Sequence, residues 1–501
     1  MKNDMSSRGV TRPMMQHKES DQNKDQQGGD SMMMSAQQRM DMLKMHHEQT
    51  QWIYWLVVIM GCWVILSPLT FDYGKNPVMP SGGRSVWLPL ESRVMVMKWS
   101  DIISGFLLVI FGYRALKPNR PVSVWLCCFV GIWLSMAPLL FWSPSPVAYL
   151  NDTLIGALVI GLTVLIPGMP NMILYMEMGP DTPPGWSYNP SSWPQRWIMI
   201  LTGFLGWIVS RYLASYQLGY INHPFDPFFG ESSVKVLDSP MSHSLFISDA
   251  GLGSFAYTFE FLMGWMGSSS RWRTMPWMVT FFGILVIPLG LVSIFLVISQ
   301  PLTVGYWCTF CLLTAIIMVP MIPLEVDEVV AMIQYMIMQT KQGESFWKVF
   351  WKGGALKEGE MDKRSPAISS FPDQKRNVFM ASIWGMWVPW TLILSTVLGI
   401  WLMFSPATFG VVIKTPPAMI NHLCGALIVV VSVLSMGEVL RTGRYLNVLL
   451  GLIVTAGIWF VSNAPLGLEI NCAIVGLLIA VLAIPLGTIT EKYGSWNKYI
   501  R

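Results

Sequence analysis

The sequence predicts an all-α, polytopic integral membrane protein with about twelve transmembrane helices, a central four-helix bundle being flanked by two-helix hairpin repeats. Three observations carry this expectation. The 501 residues are 53% hydrophobic and only 12% charged, roughly half the charged share of a soluble domain. The charges crowd into the first 51 residues and into 341–376. Between those stretches run apolar segments of about 17–25 residues, the length that crosses a bilayer core of roughly 30 Å. The net charge of +4 therefore reports loops lying beside membrane lipids, and no nucleic-acid partner is expected.

The N-terminal tail comes first. Residues 1–50 are polar and lack the apolar core of a cleavable signal peptide, so the first span is expected to drive insertion. The tail is rich in Met and His: Met14, Met15, His17, Met32, Met33, Met34, Met40, Met42, Met45, His46 and His47. Thioether and imidazole can bind copper(I). Its Gln-rich, aromatic-poor composition instead favours a disordered segment leading into an interfacial helix.

Apolar runs then place spans near 52–71, 100–116, 121–142, 151–174, 197–216, 251–267, 277–298, 303–322, 384–405, 418–439, 445–464 and 470–488. Basic residues collect on one side of this pattern: the tail, Arg114, Lys117 and Arg120, Arg271 and Arg273, the 341–376 segment, Arg441 and Arg444, and Lys492 to Arg501. The positive-inside rule makes that side cytoplasmic, with both termini there. The 72–99 loop carries Lys75, Arg84, Arg93 and Lys98 on the other side, but it is long and also holds Asp72 and Glu91. The 326–353 stretch mixes Val329, Val330, Met332 and Ile333 with Asp327 and Glu328, and then places Phe346, Trp347, Phe350 and Trp351 among lysines. This reads as amphipathic helix on the cytoplasmic surface, part of a linker over 326–380.

Within the spans a repeat appears. Gly61-Cys62-Trp63 with Ser67-Pro68, Gly131-Ile132-Trp133 with Ala137-Pro138, and Gly399-Ile400-Trp401 with Ser405-Pro406 share one spacing. Gly457-Ile458-Trp459 with Ala464-Pro465 repeats it with one extra residue. Each motif ends an outward helix, where Pro can stop it and Trp can sit at the interface. Each returning helix opens on a polar residue before a glycine: Asp101 and Gly105, Asp152 and Gly156, Asn421 and Gly425, Asn471 and Gly476. Asp101, Asp152 and His422 read as N-terminal capping groups. Four hairpins thus bracket a central unit, over 52–174 and 381–490. Their pattern resembles the bacterial SPW-repeat family, although Leu69, Leu139, Ala407 and Leu466 stand where the family signature has its Trp.

The central unit, 190–325, holds the constellation that points to chemistry: Gly305-Tyr306-Trp307-Cys308-Thr309-Phe310-Cys311. Two cysteines three apart at a helix start can close a disulfide within one turn, and the helix macrodipole favours thiolate there. The charge pattern puts this turn on the oxidising face of the membrane. A zinc site lacks its second cysteine pair, and the remaining cysteines, Cys62, Cys127, Cys128, Cys424 and Cys472, lie inside apolar spans. Buried, inert thiols are the alternative reading of the pair.

Here the sequence resembles the vitamin K epoxide reductase-like quinone/thiol oxidoreductases over about 130 residues. The Trp197–Tyr216 helix, Lys235-Val236-Leu237-Asp238-Ser239, the helix opening Gly253-Ser254-Phe255-Ala256-Tyr257-Thr258, and the closing CxxC carry the likeness. The resemblance implies that Cys308 and Cys311 are catalytic, with Cys311 nearer the quinone and Cys308 exchanging with an incoming thiol. It implies a lipid quinone, menaquinone or ubiquinone, held by Ser239, Asp249 and Tyr257. It also implies a multi-pass place in the bacterial inner membrane and an extracytoplasmic thioredoxin-like partner. One departure stands out. Members relay electrons through two loop cysteines, and here the second falls at Ser233 and the first within 222–230, with no cysteine anywhere in 217–250. A substrate thiol is then expected to meet Cys308 itself, as the more exposed of the pair. Arg211, near the end of its span, reads either as functional or as snorkelling. Two rival classes stay open: a transporter built on the repeats, and a non-catalytic membrane scaffold that has lost the relay.

Overall fold

A computed structural model of the chain describes residues 36–166, 175, 179–357, 359–461 and 464–500. Met14, Met15, His17, Met32, Met33, Met34 and the end of the fourth expected span lie outside the described residues. Twelve helices carry the architecture. They are α1 (Ala36–Thr70), α2 (Leu90–Ala115), α3 (Pro121–Leu140), α4 (Pro146–Leu165), α5 (Trp193–Gln217) and α6 (Asp249–Trp265). They continue as α7 (Pro276–Val304), α8 (Thr309–Lys341), α9 (Trp390–Thr408), α10 (Pro416–Leu434), α11 (Glu438–Phe460) and α12 (Leu466–Ala483). Among the described residues, eleven of these are long and apolar enough to cross a membrane. The remaining one, α6, has 17 residues, the lower end of the length that crosses an apolar core, and it lies packed along α5.

The hairpins pair α1 with α2, α3 with α4, α9 with α10, and α11 with α12. In each, one glycine per helix lets the two backbones touch. A Cβ on Gly61 would stand 2.8 Å from the Gly105 carbonyl oxygen, and one on Gly131 2.9 Å from that of Gly156. The C-terminal hairpins repeat this with Gly399 on Gly425 at 2.8 Å and Gly451 on Gly476 at 2.5 Å. Small residues drive such contacts because lipid offers apolar side chains no advantage in burying themselves. In the fourth hairpin the contact falls to Gly451 rather than Gly457. Gly457 lies six residues further along α11, where a Cβ would meet only the Ile453 side chain of its own helix at 3.9 Å.

The returning helices start earlier than the apolar runs suggest. Proline opens α4 and α10, where its missing N–H costs nothing, and α2 begins just after Pro89. Asp101, Asp152 and His422 therefore lie inside their helices and are buried, instead of capping them. Ser145 caps α4 by accepting from the Ala148 N–H at 3.3 Å.

In the central unit α5 packs on α6 and α8, and α8 on α7. The sequence ended the last of these spans at 322, whereas α8 runs unbroken to Lys341. The acidic residues that suggested a surface are paired inside. The Arg271 guanidinium donates to both Glu328 oxygens at 2.6 and 2.5 Å, and the Tyr188 hydroxyl to Asp327 at 2.6 Å, all of them buried. Of the expected surface helix, Phe346–Lys352 remains, with Trp347 and Trp351 exposed.

Candidate redox site

Cys308 and Cys311 form a disulfide at the start of α8. Cys308 has extended backbone angles and acts as the N-cap, its Sγ accepting from the Cys311 N–H at 3.2 Å. Gly305, with φ of +84°, makes the left-handed turn that ends α7 three residues earlier. Such a φ suits glycine, and the Lys414 side chain of the third hairpin lies over it. The expected order of exposure is reversed: Cys308 is wholly buried and Cys311 is 9% exposed. The reason is the loop between α5 and α6, which covers the turn.

Asp226 fastens that loop. Its carboxylate accepts from the backbone N–H groups of Phe228 and Phe229 at 3.0 and 2.8 Å, and from the Ser233 hydroxyl. It also accepts from Thr309, the residue between the two cysteines, through the N–H at 3.1 Å and through the hydroxyl. Burial by itself would raise this carboxyl, but the bonds from Ser233, Thr309 and Phe229 outweigh it and hold Asp226 well below the ordinary carboxylate range. Beside it, the Phe229 ring stacks on Trp307 at 6.3 Å.

Of the residues expected around a quinone, Ser239 and Asp249 belong to one buried polar network. The Ser239 hydroxyl donates to the Val236 carbonyl at 2.7 Å and accepts from the Ser242 N–H at 3.4 Å. The Ser242 hydroxyl reaches Asp249 at 3.1 Å, and Gln217 donates to Ser242 at 2.6 Å and to Asp249 at 2.5 Å. Tyr257 stands apart from this network, two turns along α6, donating to the Thr314 carbonyl on α8 at 3.3 Å. Gln217 was invisible in the sequence, because a Gln at a helix end carries no distinguishing pattern.

The hairpins grip this site from both sides. From the first, Arg84 donates to the carbonyls of Ser242 and Leu245 at 3.3 and 2.7 Å, and Ser81 donates to Asp238 at 3.3 Å. From the second, the Trp142 indole donates to the Phe246 carbonyl at 2.9 Å. Arg211 also joins the two units: it donates to Thr153 at 2.8 Å and lies over the rings of Tyr149 and Trp207. From the third hairpin, His422 meets the Trp307 ring edge-on at 5.1 Å.

The fold and the disulfide together define an all-α polytopic membrane protein with a redox-capable turn in its central bundle. Residues 197–326 match the vitamin K epoxide reductase family, and residues 51–166 and 386–485 match the SPW repeat domain. The chain thus carries a vitamin K epoxide reductase-like unit flanked on both sides by SPW repeats, and the family match indicates oxidoreductase-type chemistry with thiols and quinones. No curated protein and no solved structure matches the chain.

Proposed function

We propose that the protein is a bacterial inner-membrane oxidoreductase that passes electrons from thiols outside the cytoplasm to a lipid quinone, menaquinone or ubiquinone, through Cys308 and Cys311. The observation that carries this reading is the Cys308–Cys311 disulfide heading α8 inside the family-matched unit. A substrate dithiol, on a thioredoxin-like protein, attacks Cys308 and leaves as a disulfide while Cys308 and Cys311 become thiols. The two thiols then give two electrons and two protons to the quinone, which departs as quinol, and the disulfide closes again. Ser239 and Asp249 with Gln217, and Tyr257 one turn of α8 away from Cys311, are the groups assigned to the quinone. Since the loop holds no cysteine, the substrate thiolate has to contact Cys308 directly, and the covering loop has to lift for it.

Replacing Cys311 by Ser is expected to trap a partner on Cys308 as a mixed disulfide, seen as a reducible band on a non-reducing gel. Replacing Cys308 is expected to trap nothing. If neither variant traps a partner, and the purified protein reduces no quinone with added dithiol, the scaffold reading replaces this one. Sidedness is tested separately: cysteines placed at Ser232 and Gly343 are expected to label from opposite faces of intact cells. Labelling from one face would mean that the loop over the CxxC and the 342–345 turn lie on the same side of the membrane, against the charge pattern.

A further inference from the structure

In the loop that covers the turn, the Ser233 hydroxyl donates to Asp226. The same carboxylate holds the N–H and the hydroxyl of Thr309, inside the CxxC. The loop thus reaches the CxxC turn through a carboxylate. Asp226 is 9% exposed, and its five hydrogen bonds fix it at the N-terminal end of a 33-residue helix.

Two physical consequences follow from that position. A thiolate at Cys308 would share the positive end of α8 with Asp226, the sulfur accepting the Cys311 N–H and the carboxylate the Thr309 N–H. A like charge beside a thiolate disfavours it. The other charged and titratable groups facing the turn are few. From the loop come the His223–Glu231 pair at 2.8 Å and Lys235, which donates to the Tyr306 hydroxyl at 3.1 Å. From the third hairpin come Lys414 over Gly305 and His422 against Trp307. Asp226 alone among these bonds to the CxxC residues.

We infer that Asp226 is a positioning residue: it latches the loop over the CxxC, and its charge disfavours the thiolate, so that the disulfide is the resting form. This rests on the redox reading of Cys308 and Cys311 given above. Asp226 touches neither sulfur in a reacting step. It acts through Thr309 and the helix end.

The test is the reduction potential of the CxxC in the full-length, membrane-embedded protein, titrated in dithiol buffers with quinone absent. Asp226→Asn keeps the side chain's shape and removes the charge, and it also puts a donor NH2 in place of one acceptor oxygen. That structural loss does not depend on pH, so the comparison between two pH values separates it from the charge effect. At pH 8.5 the variant is expected to hold about ten times more dithiol at a given buffer ratio, a shift of roughly 30 mV to higher potential. At a pH low enough that Cys308 no longer alkylates in either protein, the difference is expected to vanish. The alkylation rate of Cys308 in the Cys311→Ser background is expected to rise at lower pH once Asp226 is Asn. Asp226→Glu keeps the charge and is expected to stay within about twofold of wild type. A shift that is the same at both pH values, or as large in Asp226→Glu as in Asp226→Asn, would make Asp226 a purely structural clamp and overturn the proposal. An unchanged potential in Asp226→Asn would overturn it too. Because the titration needs no quinone, a protein that fails to reduce quinone yet shows the pH-dependent shift sinks the oxidoreductase reading and leaves this one standing.

Discussion

The N-terminal and C-terminal pairs of hairpins are built on one plan and filled with different chemistry. In both, glycines hold the paired helices backbone to backbone. In both, the motif tryptophan of the first hairpin donates to an asparagine of the second, Trp63 to Asn151 at 2.8 Å and Trp401 to Asn471 at 2.9 Å. One step on, the halves part. The buried carboxyls of Asp101 and Asp152 meet in the N-terminal half, with the Tyr73 hydroxyl donating to Asp101 at 2.5 Å. At the matching places the C-terminal half has Asn421 and Cys472, whose thiol donates to the Asn421 oxygen at 2.9 Å. Position relative to the paired glycine is the same in each case: four residues before Gly105, Gly156, Gly425 and Gly476. The lesson is that the repeat conserves the places where backbones meet, because no larger residue fits them. The polar pair between the hairpins is free to change provided its members satisfy each other.

The comparison can be broken most strongly at the polar pair. Asn421→Asp would put a carboxyl beside the Pro417 carbonyl, to which the Asn421 amide now donates at 2.9 Å, with no counterpart of Tyr73 to receive it. A cost of about 2.5–3.5 kcal/mol is expected from the burial of a carboxyl in a span, measured as unfolding free energy in bicelles. The reciprocal Asp101→Asn introduces no charge and is expected to cost about 1 kcal/mol. Equal costs would mean that the two polar pairs are interchangeable. Next in size are Gly156→Ala and Gly476→Ala, each overpacking a backbone contact by one methyl, for which about 1–3 kcal/mol is expected. The same assay should find the two within a few tenths of each other, and a clear inequality would show that the halves do not share one packing plan. Smallest are Trp63→Phe and Trp401→Phe, each losing one half-exposed hydrogen bond, at about 0.5 kcal/mol apiece.

Much of this was legible in the sequence, and the misses have a common cause. The apolar runs located every span, and three of the four outward-helix glycines were found, since both signals are local in the chain. The CxxC was legible for the same reason. What escaped were partners distant in sequence. Asp327 and Glu328 looked like surface residues because Tyr188 and Arg271, which satisfy them, stand 139 and 57 residues away. Cys308 looked exposed because nothing in its own turn shows that residues 226–233 lie over it. Asp226 did leave a faint mark: an aspartate flanked by Pro224 and Pro227 in a loop is a turn former that binds the N–H two residues on. Its reach to Thr309 crosses 83 residues and follows no periodicity.

The grip of the hairpins on the redox turn also has a consequence for how the protein is made. Ser81, Arg84 and Trp142 are synthesised before the loop they hold, whereas Lys414 and His422 emerge about a hundred residues after Cys311. At roughly 5–20 residues per second, the nascent CxxC turn waits about 5–20 s with one flank docked and the other open to the membrane. During that interval the Trp307 face of the turn has no His422 against it.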